Sequence, residues 1–109
     1  MPLGSTIASL RGELYFADHV VLRVVEELDF LAQRIDYYSY TVSKAGERLY
    51  WYDPQPHPDV PALQSTHPHH KHVPPDIKHN RIPAPGISFT EANLPFLIQE
   101  IEQTLFSKT

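Results

Sequence analysis

The first half of the chain alternates between apolar and polar residues, which is the pattern of β-strands with one buried face. β-Branched and aromatic residues are frequent in these stretches, as they are in strands generally. Gly46 lies in the last turn, where a residue with positive φ suits a tight hairpin. The alternation predicts a four-stranded antiparallel meander over residues 10–53, with strands at residues 10–16, 20–30, 35–42 and 47–53. Residues 1–8 are expected to be a frayed terminus.

The C-terminal region predicts one amphipathic helix within residues 88–106. Ser88 with Glu91 has the spacing of a capping box, and Asn93 followed by Pro95 offers a second start. From there, apolar residues recur at helical spacing, at Leu94, Leu97, Ile98, Ile101 and Leu105. We expect this stripe to cover one face of the sheet, so that the fold class is α+β and the 109 residues form a single domain.

Residues 54–87 form a long stretch between the predicted sheet and the predicted helix, and proline and histidine dominate it. Proline removes a backbone donor and fixes φ, so we expect neither a helix nor an inner strand here. The expectation is an ordered coil along the other face or an edge of the sheet, since long loops of this kind are often functional. Six of the seven histidines lie in this histidine-rich stretch, and they are His57, His67, His69, His70, His72 and His79.

The charge pattern argues against a general nucleic-acid-binding protein, because the net charge is −4 when histidine is neutral. Residues 57–85 become strongly cationic as the pH falls toward the imidazole pKa of about 6.5, so a local anion site remains allowed. The absence of cysteine excludes disulfides and thiol nucleophiles. With no leader-like N-terminus and no apolar run of about 20 residues, the sequence predicts a cytoplasmic protein without a membrane partner.

Glu26 lies on the apolar face of the second predicted strand, together with Leu22 and Val24. A carboxylate that is buried on such a face needs a partner. One interpretation is a structural ion pair with Arg11 or Arg34. The other is a carboxylate that orients a histidine or an arginine of a functional site.

Tyrosines recur at every second position of the third and fourth predicted strands, at Tyr38, Tyr40, Tyr50 and Tyr52. Strict alternation places Ile35 and Tyr37 together on the opposite face of the third strand. Aromatic residues are enriched in strands, so one interpretation of the tyrosines is half-buried packing. The other is a platform that faces the histidine-rich stretch and stacks an unpaired base.

The histidine-rich stretch supplies the groups that acid–base cleavage of an RNA phosphodiester needs. A base must take the proton of the 2′-hydroxyl, an acid must protonate the leaving 5′-oxygen, and a cation must stabilise the phosphoryl charge. His70 and His72 are the candidates for acid and base, with Lys71 and Arg81 as the cations. The full set of candidate catalytic residues is His57, His69, His70, Lys71, His72 and Arg81. The candidate substrate-binding residues are Tyr38, Tyr40, Tyr52, Asp53 and Lys78.

Two other interpretations need no catalytic histidine. In one, the imidazoles bind zinc or another divalent metal as a cofactor, whereas acid–base cleavage needs none. The candidate ligands are His67, His69, His70 and His72, completed by Asp53, Asp59 or Asp76. The spacing matches no well-defined zinc motif. In the other interpretation, the imidazoles hydrogen-bond backbone groups that the prolines leave unpaired.

Two segments of the chain resemble the TumE family of bacterial toxin–antitoxin proteins. They are Tyr52-Asp53-Pro54-Gln55-Pro56-His57-Pro58 and Thr66-His67-Pro68-His69-His70-Lys71-His72-Val73. The family shows an aromatic-Asp-x-x-Pro-His element followed by Pro-His-His-Lys-His-Val, and the resemblance extends from about residue 10 to residue 105. It implies a small toxin of a type II module that an antitoxin protein holds inactive, with ribonuclease action on RNA as a natural chemistry.

A non-catalytic role is also open, in which the histidine-rich stretch recognises a partner protein or an acidic ligand. Such a protein would bind its neighbour and cleave no RNA. An exposed edge of the predicted sheet offers a further contact, because an unpaired edge can join two copies of a chain as a homodimer.

Overall fold

In the computed structural model, which describes residues 6–106, six antiparallel strands form one sheet, and their order across the sheet is their order along the chain. The strands are β1 (Ile7–Tyr15), β2 (Val20–Asp29), β3 (Arg34–Lys44), β4 (Glu47–Asp53), β5 (His70–His72) and β6 (Arg81–Pro83). One α-helix, α1 (Leu94–Ile101), continues into a π-helical turn, Glu102–Phe106. The α+β class is confirmed. The predicted number of four strands is wrong, because the histidine-rich stretch contributes two more.

β1 begins at Ile7, within the segment that was expected to be frayed. Ile7 pairs with Asp29 and Tyr15 pairs with Val21, so β1 is paired with β2 along its whole length. Backbone hydrogen bonds therefore order residues whose side chains are largely exposed. The rest of the expected frayed terminus, residues 1–5, lies outside the described residues.

A two-residue turn joins β3 and β4, where the sequence predicts a hairpin. Ala45 and Gly46 both have positive φ, at 52° and 83°. This combination is that of a type I′ turn, whose twist matches the twist of the two strands. Glycine adopts positive φ without the Cβ penalty of other residues, which explains its place here.

A β-bulge in the pairing of β2 with β3 changes which residues of β3 face the core. Glu27 pairs with Tyr37 but Leu28 pairs with Ile35, so one residue of β3 is unpaired between them. Ile35 and Tyr38 are consequently both buried, and Tyr37 is exposed. Strict alternation predicts Ile35 on the face of Tyr37, and that prediction is wrong here.

The core lies between α1 and the face of the sheet that we call the helix face. Leu97 and Ile101 of α1 are fully buried against this face. The apolar stripe of α1 therefore covers one face of the sheet, as predicted. The opposite face, which we call the outer face, lies away from α1. The buried apolar and aromatic side chains of the sheet are Val20, Leu22, Val24, Ile35, Tyr38, Tyr40, Val42, Tyr50 and Tyr52.

α1 begins at Leu94, so the predicted helix span of residues 88–106 is too long. Ser88 Oγ accepts hydrogen bonds from the backbone N–H groups two and three residues later, which forms a turn rather than a helix start. Asn93 precedes the helix, but its side chain does not cap it. The amide reaches into the core instead, where Nδ2 donates to the Tyr40 hydroxyl at 2.9 Å.

In the described part of the chain, no helix combines the length and the apolar character needed to cross a bilayer.

The histidine-rich stretch, which was predicted to be an ordered coil, contains a short 3₁₀-helix, Pro61–Thr66, and adds two short strands to the sheet beyond β4. Prolines flank β5 but do not occupy it, so its three residues keep their backbone donors for the ladder with β4 and β6. β6 is an edge strand and contains Pro83, which an edge position tolerates. The prediction that this stretch lies at an edge of the sheet is confirmed. The prediction that it contains no inner strand is wrong, because β5 lies between β4 and β6.

Candidate functional site

β5 divides the histidine-rich sequence between the two faces of the sheet. Neighbouring residues of a strand point to opposite faces. Asp53 pairs with His70, and Tyr52 pairs with Lys71. Asp53 and His70 therefore lie on the outer face, together with His72 two residues further on. Lys71 lies on the helix face with Tyr52, which is buried in the core.

Asp53, His70 and His72 form a compact group on the outer face, which we call the triad. Nε2 of His70 lies 3.0 Å from Oδ1 of Asp53, and Nε2 of His72 lies 3.1 Å from Oδ2 of the same carboxylate. The two Nε2 atoms are 3.2 Å apart. Only 1% of His70 and 4% of His72 is exposed, so these contacts are shielded from water.

Two backbone carbonyl groups set the protonation of the other ring nitrogens. Nδ1 of His70 lies 3.1 Å from the Pro68 carbonyl oxygen, and Nδ1 of His72 lies 2.8 Å from the Ile77 carbonyl oxygen. A carbonyl oxygen only accepts, so each Nδ1 carries a hydrogen and donates it, and in a neutral ring Nε2 is then an acceptor. Burial lowers the pKa of His72, although its carbonyl partner favours the charged ring. Both Nε2 atoms therefore present lone pairs to each other and to a carboxylate, an arrangement that a cation between them would stabilise.

Asp53 is held in place by two donors besides the imidazoles. Nε1–H of Trp51 donates to Oδ2, and the backbone N–H of Gln55 donates to Oδ1, each at 3.0 Å. Burial favours the neutral acid, but these bonds and the contact with His70 outweigh it and hold the pKa of Asp53 well below its usual range. Asp53 is therefore an ionised carboxylate with a fixed orientation.

His57 and Arg81 border the triad on the same face. The His57 ring lies edge-on to the His70 ring, with the centroids 4.9 Å apart. Arg81 pairs with His72 across β5 and β6 and so shares its face. Burial lowers the pKa of His57, and the Arg81 guanidinium and the His70 ring lower it further. Within residues 6–106, Nε2 of His57 and Nε of Arg81 are buried atoms without a hydrogen-bond partner.

Trp51 and Arg48 also lie at this site, although neither is among the sequence-based candidates. The Trp51 ring stacks on the His72 ring with the centroids 4.0 Å apart. The guanidinium carbon of Arg48 lies 4.6 Å from the Trp51 ring centroid. Trp51 precedes Asp53 by two residues on β4, so strand alternation is the signal that could have found it. The outer face near the triad thus carries a further cation and an aromatic ring.

Lys71 lies on the helix face, where α1 supplies its partner. Its Nζ is 3.0 Å from Oε2 of Glu100 and 4.2 Å from the centroid of the Tyr50 ring. The Tyr52 hydroxyl donates to the same Glu100 oxygen at 2.6 Å. The structure therefore does not bring this amine together with the two candidate acid–base histidines, because the strand turns adjacent side chains to opposite faces.

His69 and the candidate tyrosines also lie on the helix face. Nδ1 of His69 is 2.6 Å from the Tyr38 hydroxyl, and the two rings stack with the centroids 5.7 Å apart. Tyr38 and Tyr40 are fully buried, and Tyr52 is 2% exposed. Burial raises the pKa of all three hydroxyls well above the ordinary value. These rings cannot stack a base from solution, so their burial supports the packing interpretation.

The remaining candidates lie on the surface of the loops. Asp59, His67, Lys78 and His79 are exposed, and His79 faces Asp76 at 3.1 Å in an exposed pair. The four predicted histidine ligands do not come together in one metal site, because His67 is exposed and His69 lies on the helix face. In the described part of the chain, the triad is the group whose ligand atoms lie close enough to share an ion.

Glu26 is buried, as predicted, and within residues 6–106 its hydrogen-bond partner is a tyrosine and neither an arginine nor a site histidine. The Tyr40 hydroxyl donates a hydrogen bond to Oε2 of Glu26, and Nδ2 of Asn93 donates to that hydroxyl. Arg34 pairs with Asp36 at 3.3 Å instead. Glu26 thus belongs to a hydrogen-bonded chain that ties β2 and β3 to the residue before α1, and both predicted roles are wrong.

Comparison with known proteins identifies the family. A family model described as "Toxin TumE" matches residues 2–105, which is nearly the whole chain. Comparison with curated proteins and with solved structures found no match. The matched span includes the triad and the residues that border it.

Proposed function

Because the chain belongs to the TumE toxin family, we propose that this toxin cleaves RNA at a site on the outer face of its sheet. The family implies a toxin–antitoxin system and an antitoxin partner. The proposed site, which we call the outer-face cluster, consists of Asp53, His57, His70, His72 and Arg81. The observation that supports the proposal is that these side chains lie together. Four separate segments of the chain supply a carboxylate, three imidazoles and a guanidinium to one place.

The proposed reaction is attack of a 2′-hydroxyl on the adjacent phosphodiester. A base takes the 2′-hydroxyl proton while the new bond forms from the 2′-oxygen to phosphorus. The bond from phosphorus to the 5′-oxygen breaks, and an acid protonates that oxygen. The products are a 2′,3′-cyclic phosphate and a free 5′-hydroxyl.

His57 is assigned as the base. Its lowered pKa keeps the imidazole neutral at pH 7, so a ring nitrogen is available to accept a proton. Its Nε2 is buried and has no partner in the described part of the chain, so the proposal requires that RNA binding exposes this nitrogen. Catalytic hydrogen bonds often form only when substrate binds, so an unpaired ring nitrogen fits this role.

The triad is assigned as the acid. In this proposal, the two Nε2 atoms and the two Asp53 oxygens share one proton when no other cation is present, and that proton moves to the leaving 5′-oxygen. His70 and His72 act as one unit because they share the carboxylate of Asp53. This assignment differs from the sequence-based one, in which these two histidines are the separate acid and base.

Arg81 is assigned as the cation that stabilises the phosphoryl oxygens. A guanidinium presents several N–H donors in a plane and binds phosphate through two of them at once. Arg48, beside Trp51, adds positive charge on the same face. Lys71 has no part in this proposal, because Glu100 holds it on the helix face.

RNA cleavage by the purified full-length protein tests the proposal. The wild-type protein should cut single-stranded RNA to 2′,3′-cyclic phosphate ends and should spare a strand of 2′-deoxynucleotides. His57→Ala and Arg81→Ala should each lower the cleavage rate by about 10²- to 10⁴-fold. His79→Ala, which removes an exposed histidine of the same stretch, is the matched control and should cleave as the wild type does. A wild-type protein that cleaves no RNA, or that cleaves both strands equally, contradicts the proposal.

A further inference from the structure

We infer that the triad of Asp53, His70 and His72 binds one divalent transition-metal ion, and that Zn²⁺ suits it best. The site shares its side chains with the proposed nuclease site but does not depend on RNA being the target. Two observations support the inference, namely the directions of the ring nitrogens and the hydrogen bonds around them, and the spacing of the donor atoms is compatible with it.

Three electron-pair donors converge in the triad. Each Nδ1 donates its hydrogen to a backbone carbonyl, so both Nε2 atoms present lone pairs. These lone pairs face each other across 3.2 Å and face the Asp53 carboxylate at 3.0 and 3.1 Å. Converging donors repel one another unless a cation lies between them. A single proton occupies one of the contacts, whereas a metal ion satisfies all three.

The spacing of the donor atoms already fits a coordination shell. Metal–ligand bonds of about 2.0–2.1 Å separate neighbouring donors by about 3.3 Å in a tetrahedral site and by about 3.0 Å in an octahedral one. In the triad, Nε2 of His70 lies 3.0 Å from Oδ1 of Asp53, Nε2 of His72 lies 3.1 Å from Oδ2, and the two Nε2 atoms are 3.2 Å apart. The two nitrogen–oxygen distances thus involve different oxygens of the carboxylate, and one ligand atom from each residue lies within 4.8 Å of the others. Hydrogen bonds share this spacing, so the lone-pair directions rather than the distances favour a metal.

The hydrogen bonds around the triad are those of a metal site. A histidine that binds a metal usually donates its other ring N–H to a carbonyl or carboxylate, which fixes the tautomer. The Pro68 and Ile77 carbonyl groups accept these hydrogen bonds here. The indole of Trp51 and the backbone N–H of Gln55 orient the Asp53 carboxylate in the same way. All three ligands are therefore held before an ion arrives.

The donor set selects the kind of ion. Two imidazoles and one carboxylate suit zinc and other first-row transition metals, while Mg²⁺ and Ca²⁺ prefer oxygen ligands. Three protein ligands leave a coordination position open, as in catalytic zinc sites. When bound, the ion would replace the proton that the triad otherwise shares, so the triad would act through Lewis-acid stabilisation of charge on a phosphoryl oxygen and not as the acid.

Metal uptake by the purified full-length protein tests the inference. After chelator treatment and desalting, the protein should bind about one Zn²⁺ per chain, measured by elemental analysis and titration calorimetry. Co²⁺ in place of Zn²⁺ should give the visible d–d absorption of a nitrogen- and oxygen-bound ion. Excess Mg²⁺ should displace neither ion. A wild-type protein that takes up no Zn²⁺ at micromolar concentrations overturns the inference.

Variants of single residues locate the ion. Asp53→Asn and His72→Ala should each weaken Zn²⁺ binding by at least about 100-fold. His79→Ala removes an imidazole from an exposed pair and should bind as the wild type does. Circular dichroism checks that each variant is folded. If a triad variant is unfolded, the Co²⁺ spectrum of the wild type still reports which kinds of atoms bind the ion. Undiminished binding by a folded His72→Ala protein would place the ion elsewhere and overturn the inference.

Metal binding and RNA cleavage can fail separately. A protein that cleaves RNA in excess chelator and takes up no Zn²⁺ refutes the metal site and retains the nuclease. A protein that binds Zn²⁺ at the triad and cleaves no RNA refutes the nuclease and retains the metal site.

Discussion

Nε2 of His70 lies 3.2 Å from Nε2 of His72, and both atoms face the carboxylate of Asp53. The two histidines are separated by one residue on β5, which pairs with β4 at Asp53, so strand geometry creates this contact. The same geometry turns Lys71, the residue between them, to the opposite face. The chemistry available at the site therefore follows from a strand of three residues.

Removing the shared carboxylate should destabilise the fold. In Asp53→Asn, the amide cannot balance a cation held by the two imidazoles, so the free energy of unfolding should fall by about 1–3 kcal/mol. Asp76→Asn, which changes an exposed carboxylate that also faces a histidine, should alter it by less than about 0.5 kcal/mol. Urea denaturation followed by circular dichroism measures both. Equal midpoints for the two variants would show that the triad does not act as a buried, coupled group.

Lys71→Met should affect stability and leave RNA cleavage intact. The Glu100 side chain is only 15% exposed and loses its cationic partner, so the free energy of unfolding should fall by about 1–3 kcal/mol. Adding Glu100→Gln should recover part of this loss, because a neutral amide needs no cation. Urea denaturation and the RNA cleavage assay together separate the two effects. If a folded Lys71→Met protein lost cleavage, the lysine would belong to the reaction after all.

Gly86 packs against the Phe96 ring with no room for a side chain. A Cβ atom at this position would lie 2.3 Å from Cε1 of the ring, so Gly86→Ala should lower the free energy of unfolding by about 1–3 kcal/mol. Gly12→Ala is the matched control, because nothing lies within 4 Å of a Cβ atom there. Adding Phe96→Leu should relieve part of the clash. Urea midpoints compare the variants, and a Gly86→Ala protein as stable as Gly12→Ala would contradict this packing.

The buried tyrosines should make the fold sensitive to alkaline pH. Burial raises the pKa of Tyr38, Tyr40 and Tyr52 far above the value of about 10 in an unfolded chain. A group whose pKa is higher in the folded state stabilises the fold fully below the unfolded pKa, and this contribution is lost as the pH rises above about 10. Part of the ultraviolet absorbance of tyrosinate should therefore appear only at the pH values at which circular dichroism shows that the protein unfolds. Complete ionisation with the fold intact would argue against this burial.

The long strands and the apolar stripe of α1 could be predicted because their periodic patterns extend over enough residues to be unambiguous. β5 could not be predicted in this way. Three residues carry no recognisable period, and the prolines on both sides argue for coil. The β-bulge in β3 has no sequence pattern either, because a shift in register depends on how the paired strands pack. It nevertheless decides that Ile35 is buried and Tyr37 is exposed.

The amino-acid composition predicts which segment contains the site, but it does not predict how the side chains of the site are arranged. The concentration of imidazoles singled out residues 57–85, and the structure brings four of their candidate side chains together on the outer face. His69 and Lys71 lie on the other face, which could be foreseen only once β5 is known to be a strand. Asp53 was a candidate both for substrate binding and for completing a metal site, and its contacts place it at the centre of the triad.

Growth of cells that express the toxin without its antitoxin tests the outer-face cluster most directly. His57→Ala removes an imidazole of the cluster, and His79→Ala removes an exposed imidazole of the same stretch. At equal protein levels, we predict that the wild type and His79→Ala arrest growth and that His57→Ala does not. Growth arrest by a folded His57→Ala protein to the same extent as the wild type would contradict the assignment of toxicity to this cluster.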